Sequence, residues 1–259
     1  MHYGICLLSV IPCRKEPSST SEMVTQLLFG EHYSVIENGE DWIKISTAYD
    51  NYECYISAKQ HQKISENTVK ELEKQEPVYA SGLVSIATDK MKQLSFPLTI
   101  GARLPFLKEG KMSFENFVFS YDGEVAKGRE KKPAKEIIAT AMMLLNAPYL
   151  WGGKSPFGID CSGFTQLIYK LNGYTLPRDA SQQVEKGNPL NFVEEAEAGD
   201  LAFFDNEEGR IVHVGIIIDH EHIIHASGQV RIDRFDHYGI HNTDIKKYSH
   251  TLRVIKRVI

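Results

Sequence analysis

Gly158-Ile159-Asp160-Cys161-Ser162-Gly163-Phe164 is the stretch from which the chain is best read. Its glycines and aspartate mark a turn, and from there Phe164, Leu167, Ile168 and Leu171 recur at i, i+3, i+4 and i+7, one face of a helix. Asn172-Gly173 supplies the stop. A cysteine in the first turn of a helix lies in the positive end of the macrodipole, where a thiolate is favoured. Position 161 also shares the apolar face of 164, 168 and 171, so the sulfur is expected to point into the body of its domain.

Upstream, Ala134 to Leu145 carries apolar residues at 137, 138, 141, 142, 144 and 145, a helical pattern ended by Asn146-Ala147-Pro148. Downstream, strands are expected over Asp200–Phe204, Ile211–Ile218, His222–Ala226 and Leu252–Val258. Helices followed by an antiparallel sheet make an α+β domain.

Two histidines on those strands could serve the cysteine. His213 and His225 flank the turn Asp219-His220-Glu221, and a hairpin centred at 219 or 220 places them opposite or diagonal on one sheet face. A strand histidine packed on a second histidine and facing a cysteine fits nucleophile, base and orienting group. A metal site is not expected: His220-x-His222-x-x-His225 offers three imidazoles, but 222 and 225 alternate faces and 220 sits in the turn. Cys6 and Cys13 read as structural, and Cys54 lies in a strand with no base beside it in sequence.

The front half has the rhythm of short strands. Candidates are Ile5–Val10, Val24–Leu28, Tyr33–Glu37, Trp42–Ser46 and Glu53–Ile56, then, after a charged helical segment at Asn67–Glu76, Leu83–Thr88, Leu98–Ile100, Arg103–Leu107 and Phe117–Tyr121. The linker Lys127-Gly128-Arg129-Glu130-Lys131-Lys132-Pro133 closes this region. Three domains follow, at 1–65, 66–128 and 129–259, the first two being small β-barrels.

Composition narrows the function classes. With 42% hydrophobic and 24% charged residues the chain is neither disordered nor coiled-coil, and a net charge of −5 gives no field that attracts nucleic acid. No apolar run approaches a membrane span of about 18 residues. Four cysteines without a C-x-x-C pair read as thiols in a reducing compartment. The segment from Met1 to Pro12 has no Lys or Arg before its apolar residues and no small-residue cleavage site after them, so it reads as a strand. A cytoplasmic protein is expected, the alternative being a periplasmic or secreted one whose leader has been removed.

Six blocks in order carry a family resemblance: Pro148-Tyr149-Leu150-Trp151-Gly152-Gly153, Gly158 to Phe164, Pro177-Arg178-Asp179-Ala180-Ser181-Gln182-Gln183, Gly199-Asp200-Leu201-Ala202-Phe203-Phe204, His213-Val214-Gly215-Ile216 and Ile224-His225-Ala226-Ser227. Over about residues 130–259 the chain resembles the NlpC-type family of papain-like cysteine peptidases, and the front half resembles two bacterial SH3-like domains. This order is similar to that of the γ-D-glutamyl-L-diamino acid endopeptidases, which act on peptidoglycan peptides.

The resemblance implies Cys161 as nucleophile, His213 as general base, His225 as the orienting residue and Tyr149 as an oxyanion donor beside the Cys161 N–H. It places Trp151 and Ser162 along the cleft. It implies that Arg178-Asp179 contributes to the substrate site, Asp179 binding the free α-amine of an N-terminal L-Ala, with Glu22 and Tyr52 or Tyr55 of the first β module completing that subsite. Ala180 stands where such motifs often carry Ser, which removes one hydroxyl contact. No cofactor is implied, and the partner is a small peptide from the peptidoglycan stem. The rival readings are a secreted endopeptidase that remodels intact peptidoglycan and an inactive module that binds wall peptides.

Overall fold

Period-two alternation builds the first half of the chain. In the computed structural model, which describes residues 2–259, β1 (His2–Ile5), β2 (Val10–Arg14), β3 (Met23–Leu28), β4 (His32–Asn38), β5 (Trp42–Thr47), β6 (Glu53–Ser57) and β7 (Gln62–Ile64) form one antiparallel sheet in the order β3-β2-β6-β5-β4-β1-β7. On β5 the alternation puts Ile43 and Ile45 inward, where they meet Ile11, Leu27, Tyr33, Cys54 and Ile56 in an apolar core. The strand expected over Ile5–Val10 is two strands with a break between them. Cys6 leaves the ladder because its N–H goes to Glu31 O and its carbonyl accepts from Gly30.

Ser65 caps α1 (Glu66–Lys74) by accepting the Thr68 N–H, and the helix buries Val69 and Leu72. β8 (Val78–Ala80), β9 (Val84–Asp89), β10 (Leu94–Thr99), β11 (Lys111–Phe114), β12 (Phe117–Tyr121) and β13 (Val125–Lys127) follow, with sheet order β10-β9-β12-β11 and a separate β13-β8 pair. The strand expected over Arg103–Leu107 is irregular chain: the Arg103 guanidinium donates to Leu72 O at 2.7 Å and lies 3.0 Å from His32 Nδ1, fastening the segment to α1 and β4. Ile5, Phe29 and Ile64 share one core with Ala87, Leu98, Met112 and Phe119. Residues on both sides of the 65/66 boundary are therefore packed together.

By its contacts the chain divides into two units, Met1–Glu130 with Gly152–Ser155, and Lys131–Trp151 with Pro156–Ile259. The four-residue piece, which includes β14 (Lys154–Ser155), is built into the first unit. Gly152 has a positive φ of +75, and a Cβ there would lie 2.3 Å from Met23 O, so only glycine fits. The Lys154 N–H donates to Gln26 Oε1 at 2.8 Å, and its buried ammonium lies 3.5 Å from both oxygens of Glu31.

The second unit contains α2 (Ala134–Met142), β15 (Gly158–Ile159), α3 (Cys161–Leu171), α4 (Ala180–Gln183), β16 (Asn188–Pro189), β17 (Leu201–Asp205), β18 (Ile211–Ile217), β19 (His222–Ser227), β20 (Gln229–Asp236), β21 (Gly239–Asn242) and β22 (Lys247–Arg257). Its sheet runs β16-β22-β17-β18-β19-β20-β21. Every residue of α3 is buried, and the helix packs on β18 and β19 and against α2. This is the α+β arrangement expected for the back half. Among the described residues no helix is long and apolar enough to cross a membrane.

Candidate active site

The first turn of α3 is fixed by a buried ionic knot. Asp160 is its N-cap, and Oδ1 accepts the Gly163 N–H at 2.6 Å. Arg178, 1% exposed, grips the same carboxylate with both arms, at 3.0 Å to Oδ1 and 2.6 Å to Oδ2, and reaches Ser162 Oγ at 2.9 Å. Arg178 and Ser162, expected among the substrate contacts, thus lie below the surface and brace the cysteine. Gln183 closes the arrangement from α4, donating to Ser162 O and Pro177 O and accepting from Thr165.

Cys161 opens α3 with its sulfur turned inward, as its place on the apolar face required. Burial works against the thiolate expected from the helix dipole. Burial, reinforced by the charge of Asp160, pushes the thiol up to about 12, against backbone hydrogen bonds from Val214 and Ser162 and the charge of Arg178. Desolvation is the largest of these influences. The contact with Val214 sets the sulfur beside the residue that follows His213.

The hairpin register pairs Gly215 with His225, which makes His213 the diagonal neighbour of His225 on one face. Their rings are nearly perpendicular, with His213 Nε2 2.9 Å from His225 Nδ1. Gly215 makes room for this: a Cβ there would lie 2.9 Å from that of His225. Behind His225 stands Asp233 of β20, whose Oδ2 is 3.0 Å from His225 Nε2. Arg231 donates to both Asp233 oxygens, at 2.7 and 2.8 Å. Burial alone would raise the Asp233 carboxyl, but hydrogen bonds from His225 and Arg231 hold it down at about 2.

These bonds fix the protons. Asp233 is an ionised acceptor, so His225 carries its proton on Nε2 and presents a lone pair at Nδ1. That lone pair accepts from His213 Nε2–H. His213 is left with a lone pair on Nδ1. Burial, followed by the fields of His225 and His250, holds the His213 pKa well below 6.5, and burial lowers that of His225 despite Asp233.

Reading the sequence missed Asp233 and His250. The signal for the first was faint: Val230 and Ile232 alternate after the Gly228 turn, but Asp233 itself breaks the apolar pattern while being buried. The second lies just before the strand expected over Leu252–Val258, two residues along the same alternation. His250 stacks on His213 with ring centroids 4.0 Å apart and planes 24° apart. Burial, then the field of His225, takes its pKa down to about 4.

Tyr149 is half-buried, anchored by its N–H to Gly228 O at 2.9 Å and bridged to Ile159. Burial and the charges of Cys161 and Asp160 push its phenol up, so it keeps its proton. Trp151 is 59% exposed. Asp179 is the N-cap of α4, its N–H donating to Gln182 Oε1 at 3.2 Å. Glu22, Tyr52 and Tyr55 belong to the first unit. There Glu22 lies 3.3 Å from Lys15 Nζ, the Tyr52 N–H donates to Thr47 Oγ1 at 3.0 Å, and Tyr55 stands opposite Lys44 on β5.

Known proteins match this chain at both units. The NlpC/P60 family profile matches residues 146–248, and that of the bacterial dipeptidyl-peptidase Sh3 domain matches residues 13–60. The γ-D-glutamyl-L-lysine dipeptidyl-peptidase of Bacillus subtilis is 34% identical over 227 residues, covering 78% of this chain and 71% of that protein. Dipeptidyl-peptidase 6 of Lysinibacillus sphaericus is 26% identical over 245 residues, 85% of this chain and 87% of its own. In fold, the crystal structure of an NlpC/P60 family protein from Bacillus cereus superposes with a TM-score of 0.85 over 99% of both chains, at 22% identity. One SH3 match is found, over the first β module, and none of these findings assigns that fold to the second. The site geometry and a relative at 34% identity across most of both chains agree: the chain belongs to the NlpC/P60 family and is a peptidase of the cysteine type.

Proposed function

We propose that this peptidase hydrolyses the bond between γ-D-Glu and the diamino acid of peptidoglycan peptides that begin with a free L-Ala, releasing L-Ala-γ-D-Glu. The observation that carries the chemistry is the hydrogen-bonded chain His213–His225–Asp233, with the Cys161 sulfur held by the backbone N–H of Val214, the residue after His213. The substrate class is supported by the names of the relatives, γ-D-glutamyl-L-lysine dipeptidyl-peptidases.

The Cys161 thiol gives its proton to His213 Nδ1 as the sulfur attacks the γ-carbonyl carbon of D-Glu. Burial opposes an isolated charge on either group, so thiolate and imidazolium form together, each stabilising the other. The oxyanion is met by the Tyr149 hydroxyl and the Cys161 N–H, which as a first-turn amide has no partner within the helix. Preorganised donors of this kind are worth about 3–4 kcal/mol each. His213 then protonates the departing amine, the thioester remains, and the same Nδ1 activates water to release the acid. Asp179 is the carboxylate proposed to pair with the substrate α-amine. The four free cysteines fit a reducing compartment and a role in turning over soluble wall peptides.

Comparing L-Ala-γ-D-Glu-L-Lys with its N-acetylated form tests the specificity. Acetylation leaves the half-buried Asp179 carboxylate without its cation, and the rate is expected to fall at least about 100-fold. Equal rates would refute the amine subsite.

A further inference from the structure

The relay in the second unit holds one imidazole more than acyl transfer uses. One ring nitrogen from each of His213, His225 and His250 lies within 4.8 Å of the other two. Ligands held about 2.0–2.1 Å from a tetrahedral zinc ion stand roughly 3.3 Å apart, so small side-chain rotations bring the three into range. Hydrogen bonding identifies the atoms. His225 Nε2 is committed to Asp233 at 3.0 Å, which leaves Nδ1. His213 Nε2 already lies 2.9 Å from that atom. His250 Nδ1 lies 2.9 Å from Ser249 Oγ, which leaves its Nε2. A carboxylate behind His225 and a hydroxyl behind His250 are the partners that metal-bound imidazoles carry on their far nitrogens.

We propose that His213, His225 and His250 form a binding site for a divalent transition-metal ion such as zinc, and that the bound ion holds the peptidase in a reversible inactive state. Imidazole sets suit zinc, copper and nickel, and three of them leave a fourth position open. Coordination at His213 Nε2 displaces the proton there to Nδ1, with no change in the number of protons on the neutral ring. That nitrogen then holds a proton where the thiol needs a lone pair. The binding itself rests on geometry alone, whereas the inhibition rests on His213 acting as the base proposed above.

The test uses the full chain stripped with a chelator, zinc titrated by calorimetry and cobalt as a spectroscopic probe. One zinc per chain is expected, with visible cobalt bands of a tetrahedral nitrogen site and no thiolate charge-transfer band, and Cys161→Ser is expected to bind equally well. His250→Phe keeps a ring on His213 but offers no nitrogen, and His250→Ala removes both. Each is expected to weaken zinc binding by about 10- to 100-fold. Peptidase activity of the unaltered chain is expected to fall as zinc binds and to return on chelation. Unchanged zinc affinity in both His250 variants would overturn the site, as would a thiolate band lost in Cys161→Ser. Zinc bound through His250 without loss of activity would overturn the inhibition. A chain that binds zinc this way but never cleaves the peptide would uphold the site and refute the peptidase reading instead.

Discussion

Each imidazole in the site has two nitrogens, and the fold decides which one does chemistry. Asp233, ionised and doubly held by Arg231, dictates the His225 tautomer, and His225 dictates that of His213. Asp233→Asn keeps an acceptor for His225 but removes the charge that favours an imidazolium. A drop in kcat of about 10- to 100-fold is expected, within the usual range for acid–base groups, with KM little changed. Burial holds the His213 pKa below the ordinary 6.5, so the acid limb of the pH profile is expected below that value, and in Asp233→Asn it is expected to move lower still because the imidazolium loses a stabilising field. A purely structural role would lower activity without moving that limb. At this scale the placement of Cys161, His213 and His225 was legible, because helix spacing and hairpin parity give those side chains direction. Asp233 was not, because a buried carboxylate in a strand looks in sequence like a solvent-facing one.

Elements bring these side chains together, and the first turn of α3 shows how. Asp160 caps the helix, while Arg178, 18 residues further along, supplies the charge that makes a buried carboxylate tolerable there. Breaking such a pair leaves an uncompensated buried charge, so Arg178→Ala is expected to cost about 3–5 kcal/mol. Hydrogen exchange of the α3 amides measures this directly. Arg178→Lys is expected to recover only part of the loss, since an ammonium cannot match both carboxylate oxygens; full recovery would mean that the fork geometry is unimportant. The motif containing Arg178 was visible in sequence, but its burial and its pairing with Asp160 were not, because sequence does not report exposure. Strand limits were similarly hidden at Cys6 and Arg103, where bonds to distant chain override local pattern.

For the whole molecule, the change from short strands to helices near Lys127–Pro133 was readable and coincides with the division between units. The separation of the two β modules was less so. Phe29 and Phe119 pack edge to face in one core, a long-range contact that no local window contains. The insertion of Gly152–Ser155 into the first unit was hidden for the same reason. The central claim is that Cys161 carries out peptide hydrolysis on γ-D-glutamyl substrates. Its most direct test is mass spectrometry of L-Ala-γ-D-Glu-L-Lys incubated with the unaltered chain and with Cys161→Ala. The account predicts L-Ala-γ-D-Glu and free lysine from the first and intact peptide from the second; cleavage at an undiminished rate by Cys161→Ala would contradict it.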